Sequence, residues 1–248
     1  MYGKRLRALS FTTVAALTLT LALVFFWAPN DADQGFLQKI FYIHVPLAIV
    51  TLCGFVFGGL AAIAHLRTRD PRWDMRSYVA IHLSLVFGVG VLITGSIWAK
   101  GSWGHWWVWN EPTLVSFLLI MLLYATYQPL RFAIEDPERQ ARSASVFAIT
   151  AAVFVPVNFA IVRLSTAYVH PRVLGNINGN LPARMQVVFY LALISVGLLW
   201  VCLWRYEMTS KHATAQLRAL KRLLAGDEDE TPLRRSAAPS MTHLGGVR

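Results

Sequence analysis

Residues 78–98, Y-V-A-I-H-L-S-L-V-F-G-V-G-V-L-I-T-G-S-I-W, contain no Asp, Glu, Lys or Arg. About 20 apolar residues in a helix cross a hydrocarbon core of about 30 Å, so this stretch predicts a membrane span. It runs straight into W-A-K-G-S-W-G-H-W-W-V-W-N-E-P, residues 98–112. That run holds five of the chain's nine tryptophans: Trp98, Trp103, Trp106, Trp107 and Trp109. Another apolar segment, 113–130, follows it. Tryptophan anchors helices at membrane–water interfaces because its ring is apolar and its N–H stays wet. One or two per helix end suffice for anchoring. Five together predict a flat, polarisable surface for a large planar apolar ligand.

Moving outward, four more segments of the same kind lie at 8–28, 41–66, 144–162 and 186–204. Only 15% of the 248 residues are charged, against about 25% in an average soluble domain. The predicted fold is an all-α integral membrane protein with six transmembrane helices. One membrane domain covers 1–204, and a tail covers 205–248. The start, M-Y-G-K-R-L-R, resembles a signal peptide, but the run from Ala8 to Trp27 is long for one and no clean A-x-A site follows. It reads as a retained first span. Pro156 and Asn158 predict a kink in the fifth span. No repeat of 20–50 residues is present. Cys53 and Cys202 form no C-x-x-C pair and no haem-attachment motif, and read as small buried apolar residues.

Sidedness follows from the basic residues. The N-terminus, second loop, fourth loop and tail carry 18 Lys and Arg, and the first, third and fifth loops carry 5. The positive-inside rule then places both termini in the cytoplasm. The net charge of +10 is thereby assigned to orientation and anionic lipid, and no nucleic-acid partner is expected. In the tail, Leu217, Leu220, Leu223 and Leu224 predict a short amphipathic helix along the cytoplasmic face. The remainder, from Asp227, reads as disordered.

That topology brings His44, the tryptophan run and His170 to the extracytoplasmic side. Imidazole is the commonest metal ligand, and haem iron takes axial donors of this kind. His44 precedes Pro46 in F-Y-I-H-V-P, and His170 precedes Pro171 in T-A-Y-V-H-P; proline stiffens the backbone that presents each ring. A porphyrin needs an aromatic floor and two axial donors, and both are offered here. His105, inside the run, is a third ligand candidate that reads better as a polar rim contact. Trp103, Trp106 and Trp107 would share a face if that segment is helical. His65 and His82, near the cytoplasmic ends of their spans, read as snorkelling polar residues, with a second ligand pair as the lesser reading. Arg163, Arg172 and Arg184, the outer-side cations, read first as ordinary loop residues pairing with lipid phosphate or water, with contact to ligand carboxylates as the other reading.

At these residues the chain resembles the haem-handling membrane proteins of cytochrome c maturation, whose mark is W-G-x-x-W-x-W-D. The matching positions are Trp103, Gly104, Trp107 and Trp109, with Asn110 in place of the aspartate. Within that group, F-Y-I-H-V-P and the six spans look most like the haem exporter protein C family. The resemblance covers roughly 36–204. Glu111-Pro112 departs from the family's small residue and arginine, and Glu111 offers a carboxylate one position along. T-A-Y-V-H-P departs from the usual W-N-T-L-H-Q around the second histidine.

The resemblance implies haem b as transported ligand, with His44 and His170 as axial ligands of its iron. Trp103, Gly104, Trp106, Trp107, Trp109 and Asn110 are the other implied contacts. It also implies residence in the plasma (inner) membrane and delivery of haem to a membrane-tethered haem chaperone for c-type cytochrome biogenesis. The implied partners are ABC transporter subunits and a small single-span membrane protein. No catalytic nucleophile, phosphate loop or acid/base pair is legible, so the chain does not read as an enzyme, and ATP energy would come from a partner. The alternatives are a subunit of a larger haem channel or cytochrome c synthase, a b-type electron-transfer subunit, and a permease with an aromatic belt.

Overall fold

The computed structural model of the chain describes residues 2–165, 169–170 and 181–224. Among these, the only extended pairing is one bridge between Asp31 and Gly35; most of the other described residues are helical, joined by short turns and irregular connections. The helices are α1 (Tyr2–Phe26), α2 (Phe41–Thr68), α3 (Pro71–Trp103), α4 (Pro112–Ala125), α5 (Tyr127–Phe132), α6 (Pro137–Leu164) and α7 (Ala183–Leu224). A short 3₁₀ turn, Phe36–Ile40, leads into α2. Counting α4 with α5 as one, six helical segments are long and apolar enough to cross a membrane.

The spans are longer than hydropathy suggests, because capping residues set the ends. Asp70 starts α3 by accepting from the Arg72 N–H at 2.9 Å, with Pro71 at the first helical position. This capping bond, together with the Arg72 side chain, holds the Asp70 carboxyl below its usual range. Gly104 ends α3 with φ +77°, a left-handed turn that glycine adopts without strain. The helix therefore carries five residues beyond the expected boundary at 98, taking Trp103 with it.

The fourth span is not a single helix. Pro129 has no N–H, and its ring crowds the carbonyl four residues back, at Ala125, where α4 stops. In the fifth span, where a kink is expected, α6 runs without a break through Pro156. In the tail, the leucines expected to form a helix lie on the continuation of α7, which runs to Leu224, with Leu217, Leu220 and Leu223 exposed. Residues beyond 224, including the stretch expected to be disordered, lie outside the described residues. Cys202 is buried as expected, whereas Cys53 is exposed, because α2 turns its neighbour Gly54 and not position 53 into the bundle.

Contacts divide the chain into Met1–Met208 and Thr209–Arg248. In the first unit, one core joins α2 to α6 through Phe55, Ile81, Met121, Tyr124, Ala148 and Val155. Phe55 and Tyr124 stack at 3.7 Å between ring centroids. Side chains at Gly54 and Gly58 would collide with Ser84 and Ile81, so these glycines bring α2 and α3 into backbone proximity. A second core joins α1, α2 and α7 through Val24, Tyr42, Val188 and Phe189, and Thr20 and Ser195 share a buried hydrogen bond of 2.8 Å across it. Arg131 of α5 grips Asp74 of α3 with two bonds of 2.8 and 2.6 Å, both residues buried. That basic residue, counted above as a loop cation, is a tie between helices.

Candidate functional site

His44 occupies the first turn of α2, with Nδ1 3.1 Å from the hydroxyl oxygen of Thr94 on α3. The Thr94 hydroxyl has a single proton, which it directs back to the Gly90 carbonyl at 2.7 Å. With that proton committed, its lone pair matches a His44 ring in the Nδ1–H tautomer, which leaves Nε2 free for a metal. An imidazole held through one nitrogen in this way is oriented to ligate a metal through the other. Gly95 makes room for the ring, since a Cβ there would stand 2.8 Å from His44 Cε1.

The second imidazole reaches the same place from the other end of the chain. His170 makes edge contacts with Trp98 at 6.5 Å and Trp103 at 6.3 Å. Those two tryptophans, on the last turns of α3, meet edge to face at 4.9 Å, and Trp98 Nε1–H donates to Gln34 Oε1 at 3.1 Å. A cavity of about 210 Å³ joins His44 and His170, with Trp98, Trp103 and Trp107 in its wall. The rest of the wall is largely apolar and comes from four helices: Leu52 of α2, Leu92 of α3, Phe117 of α4 and Phe159 of α6 are representative. Thr113, Asn158 and Arg163 add polar groups. Among the described residues the buried Trp107 indole N–H has no hydrogen-bond partner, a donor left for an acceptor on a ligand.

The tryptophan run is thus split by Gly104. Beyond it the backbone is irregular, so Trp103, Trp106 and Trp107 do not share a helix face. Trp107 turns to the cavity and touches Trp109 at 6.0 Å. Trp106 and Trp109 are 60% and 74% exposed, and His105 and Asn110 are exposed beside them. Of the outer cations, Arg163 lines the cavity and lies over Phe159 at 5.2 Å; Arg184 lies over Trp27 at 5.7 Å. Arg172 and Pro171 fall outside the described residues. His65 pairs with Ser145 of α6 at 2.9 Å and His82 with Gln128 of α5 at 3.4 Å, each tied to its own neighbouring helix.

Glu111 is fully buried and caps α4. Burial pushes its carboxyl up, but the N–H groups of Val169, His170 and Thr113 outweigh that and hold it below the usual range. Sequence reading missed Thr94, Gly95 and Asn158 as cavity residues. Thr94 and Gly95 carry one weak signal, a hydroxyl and a glycine side by side in an apolar span.

Residues 1–223 match the family described as Heme exporter protein C. Relatives of that name include one from Bradyrhizobium diazoefficiens, 30% identical over 201 residues, which covers 80% of this chain and 75% of the relative. One from Haemophilus influenzae is 27% identical over 209 residues, 83% of this chain and 85% of the relative. One from Rhodobacter capsulatus is 36% identical over 145 residues, 57% of this chain and 60% of the relative.

Proposed function

Since this chain belongs to the Heme exporter protein C family, we propose that it binds haem b between His44 and His170 and passes it to a membrane-tethered haem chaperone for c-type cytochrome assembly. Family membership makes it a multi-pass membrane component of haem export, not an enzyme. The cavity opens on the extracytoplasmic side in this reading, with both termini in the cytoplasm. ABC transporter subunits and a small single-span membrane protein are its partners there.

One observation supports the haem reading above the others: the cavity offers two imidazoles in an aromatic, apolar wall. Among the described residues, no group of three or more His, Cys, Asp or Glu is placed to hold a metal ion. Two imidazoles fall short of the three or four protein ligands that hold a zinc-type ion. They are the number required by an iron whose four equatorial ligands come with its own porphyrin ring. The Trp107 N–H and Arg163 are then donors to the haem's carboxylates, and the exposed Trp106 and Trp109, with Gly104 and Asn110, form the outer rim from which haem leaves.

The test is titration of the purified full-length protein with haem b, followed by absorption. Haem binding is expected with a spectrum of nitrogen-ligated iron. His44→Ala and His170→Ala are expected to weaken it by more than the roughly 10–100-fold that loss of a ligand's outer-shell partner costs, and His105→Ala to leave it close to wild type. Greater damage from His105→Ala would move the axial ligand into the tryptophan loop.

A further inference from the structure

Two segments far apart in sequence meet at one carboxylate. Glu111 Oε1 accepts from the Thr113 N–H at 3.3 Å, while Oε2 accepts from the N–H groups of Val169 at 2.7 Å and His170 at 3.1 Å. The first bond ties the carboxylate to the start of α4, where Pro112 presets the helical backbone angle. The other two hold consecutive peptide groups, the second of which belongs to His170 itself. Bonds from N–H to an ionised carboxylate are shorter and about twice as strong as neutral ones. These bonds restrain the backbone at 169 and 170 and leave side-chain rotation as the main freedom of the imidazole. Trp98 and Trp103, at 6.5 and 6.3 Å, bound that rotation.

We propose that Glu111 is the positioning residue for His170, a carboxylate latch that fixes the second imidazole at the cavity. The proposal rests on the reading of His170 as a haem-iron ligand and deepens it. The carboxylate beside the tryptophans acts on the iron through the backbone that carries the ligand, not by touching haem. Side-chain length separates this role from a simple helix cap. Aspartate is among the best N-caps and keeps the charge, but it is one methylene shorter, so it retains Thr113 and loses its reach to 169 and 170. Glutamine keeps the length and one carbonyl oxygen for the paired N–H groups, at the expense of the Thr113 bond. A residue needed only to start α4 ranks Asp above Gln, and a latch ranks Gln above Asp.

Full-length protein in lipid nanodiscs is titrated with ferric haem b, with affinity read by absorption and spin state by electron paramagnetic resonance. Wild type is expected to give six-coordinate, low-spin iron. Glu111→Asp is expected to bind about tenfold more weakly, as when the partner orienting a ligand histidine is removed, with part of the iron high-spin. Glu111→Gln should lie between it and wild type, and free imidazole should restore low-spin iron to both Glu111→Asp and His170→Ala. The latch is overturned, and the reading of His170 stands, if Glu111→Asp equals or exceeds Glu111→Gln, or both match wild type, while His170→Ala still loses low-spin iron. If His170→Ala keeps the wild-type spectrum, the reading of His170 falls and takes the latch with it. Glu111→Ser, also a capping residue without the reach, replaces Glu111→Asp in the same ranking if the aspartate variant does not accumulate.

Discussion

Thr94 sets the chemistry of His44 with one hydroxyl. Its proton goes to the Gly90 carbonyl and its lone pair faces His44 Nδ1, and together with the Val91 carbonyl at the ring it favours the Nδ1–H tautomer. Valine has the same shape but cannot accept. Thr94→Val is expected to lower haem affinity by about tenfold, as for other groups that orient a ligand histidine, and Thr94→Ser to restore it. Titration of the purified variants with ferric haem reads this directly. Equal affinity for wild type and the valine variant would remove Thr94 from the site. Next to it, Gly95 leaves the 2.8 Å gap that any side chain would close, so the same short stretch of α3 both holds the ring and makes room for it.

The element that carries the site is the end of α3. With 33 residues at 1.5 Å rise, α3 is about 50 Å long, well beyond a hydrocarbon core of about 30 Å. Trp98 and Trp103 sit on its terminal turns, and the left-handed turn at Gly104 sends the next tryptophans off the helix. Trp107 returns to the cavity while Trp106 and Trp109 stay exposed. A ring stacked on a planar ligand contributes roughly 0.5–1.5 kcal/mol beyond the area it buries. Removing two such rings by Trp103→Ala with Trp107→Ala should weaken haem binding by roughly 5–150-fold and lower cytochrome c assembly, while the protein stays in the membrane. Trp106→Ala with Trp109→Ala should cost less affinity. Belt residues tolerate exchange among aromatic rings, so normal haem content in the first double variant would return all five tryptophans to an interfacial belt.

At the scale of the whole molecule, the cavity is built between α2, α3, α4 and α6 at the end of the bundle that carries the tryptophans. In sequence, the N-terminus, second loop, fourth loop and tail hold 18 Lys and Arg against 5 in the other loops, and Arg131, one of the 18, makes the buried tie to Asp74. A cytoplasmic anionic surface favours the basic segments, so reporter fusions at Ser102 are expected to read extracytoplasmic and fusions at Asp70 cytoplasmic. A cytoplasmic signal at Ser102 would turn the cavity inward and end the outward-delivery reading.

The all-α class, the six apolar spans, the tryptophan run and the I-H-V-P motif at His44 were legible because each is written in consecutive residues. Hydrophobic length and local motifs need no knowledge of what lies across the bundle. The helix ends were not legible from hydropathy, because capping by Asp70, Glu111 and Gly104 and the break imposed by Pro129 act through backbone bonds, not apolar length. The cavity wall needed the tertiary structure. Thr94 lies 50 residues from His44 and Glu111 lies 58 from Val169, and Asn158 and Arg163 join the wall from α6. Which residues face one another there depends on the register in which α2 and α3 close over Gly54 and Gly58. Close packing sets that register between helices, and no spacing along a single helix encodes it.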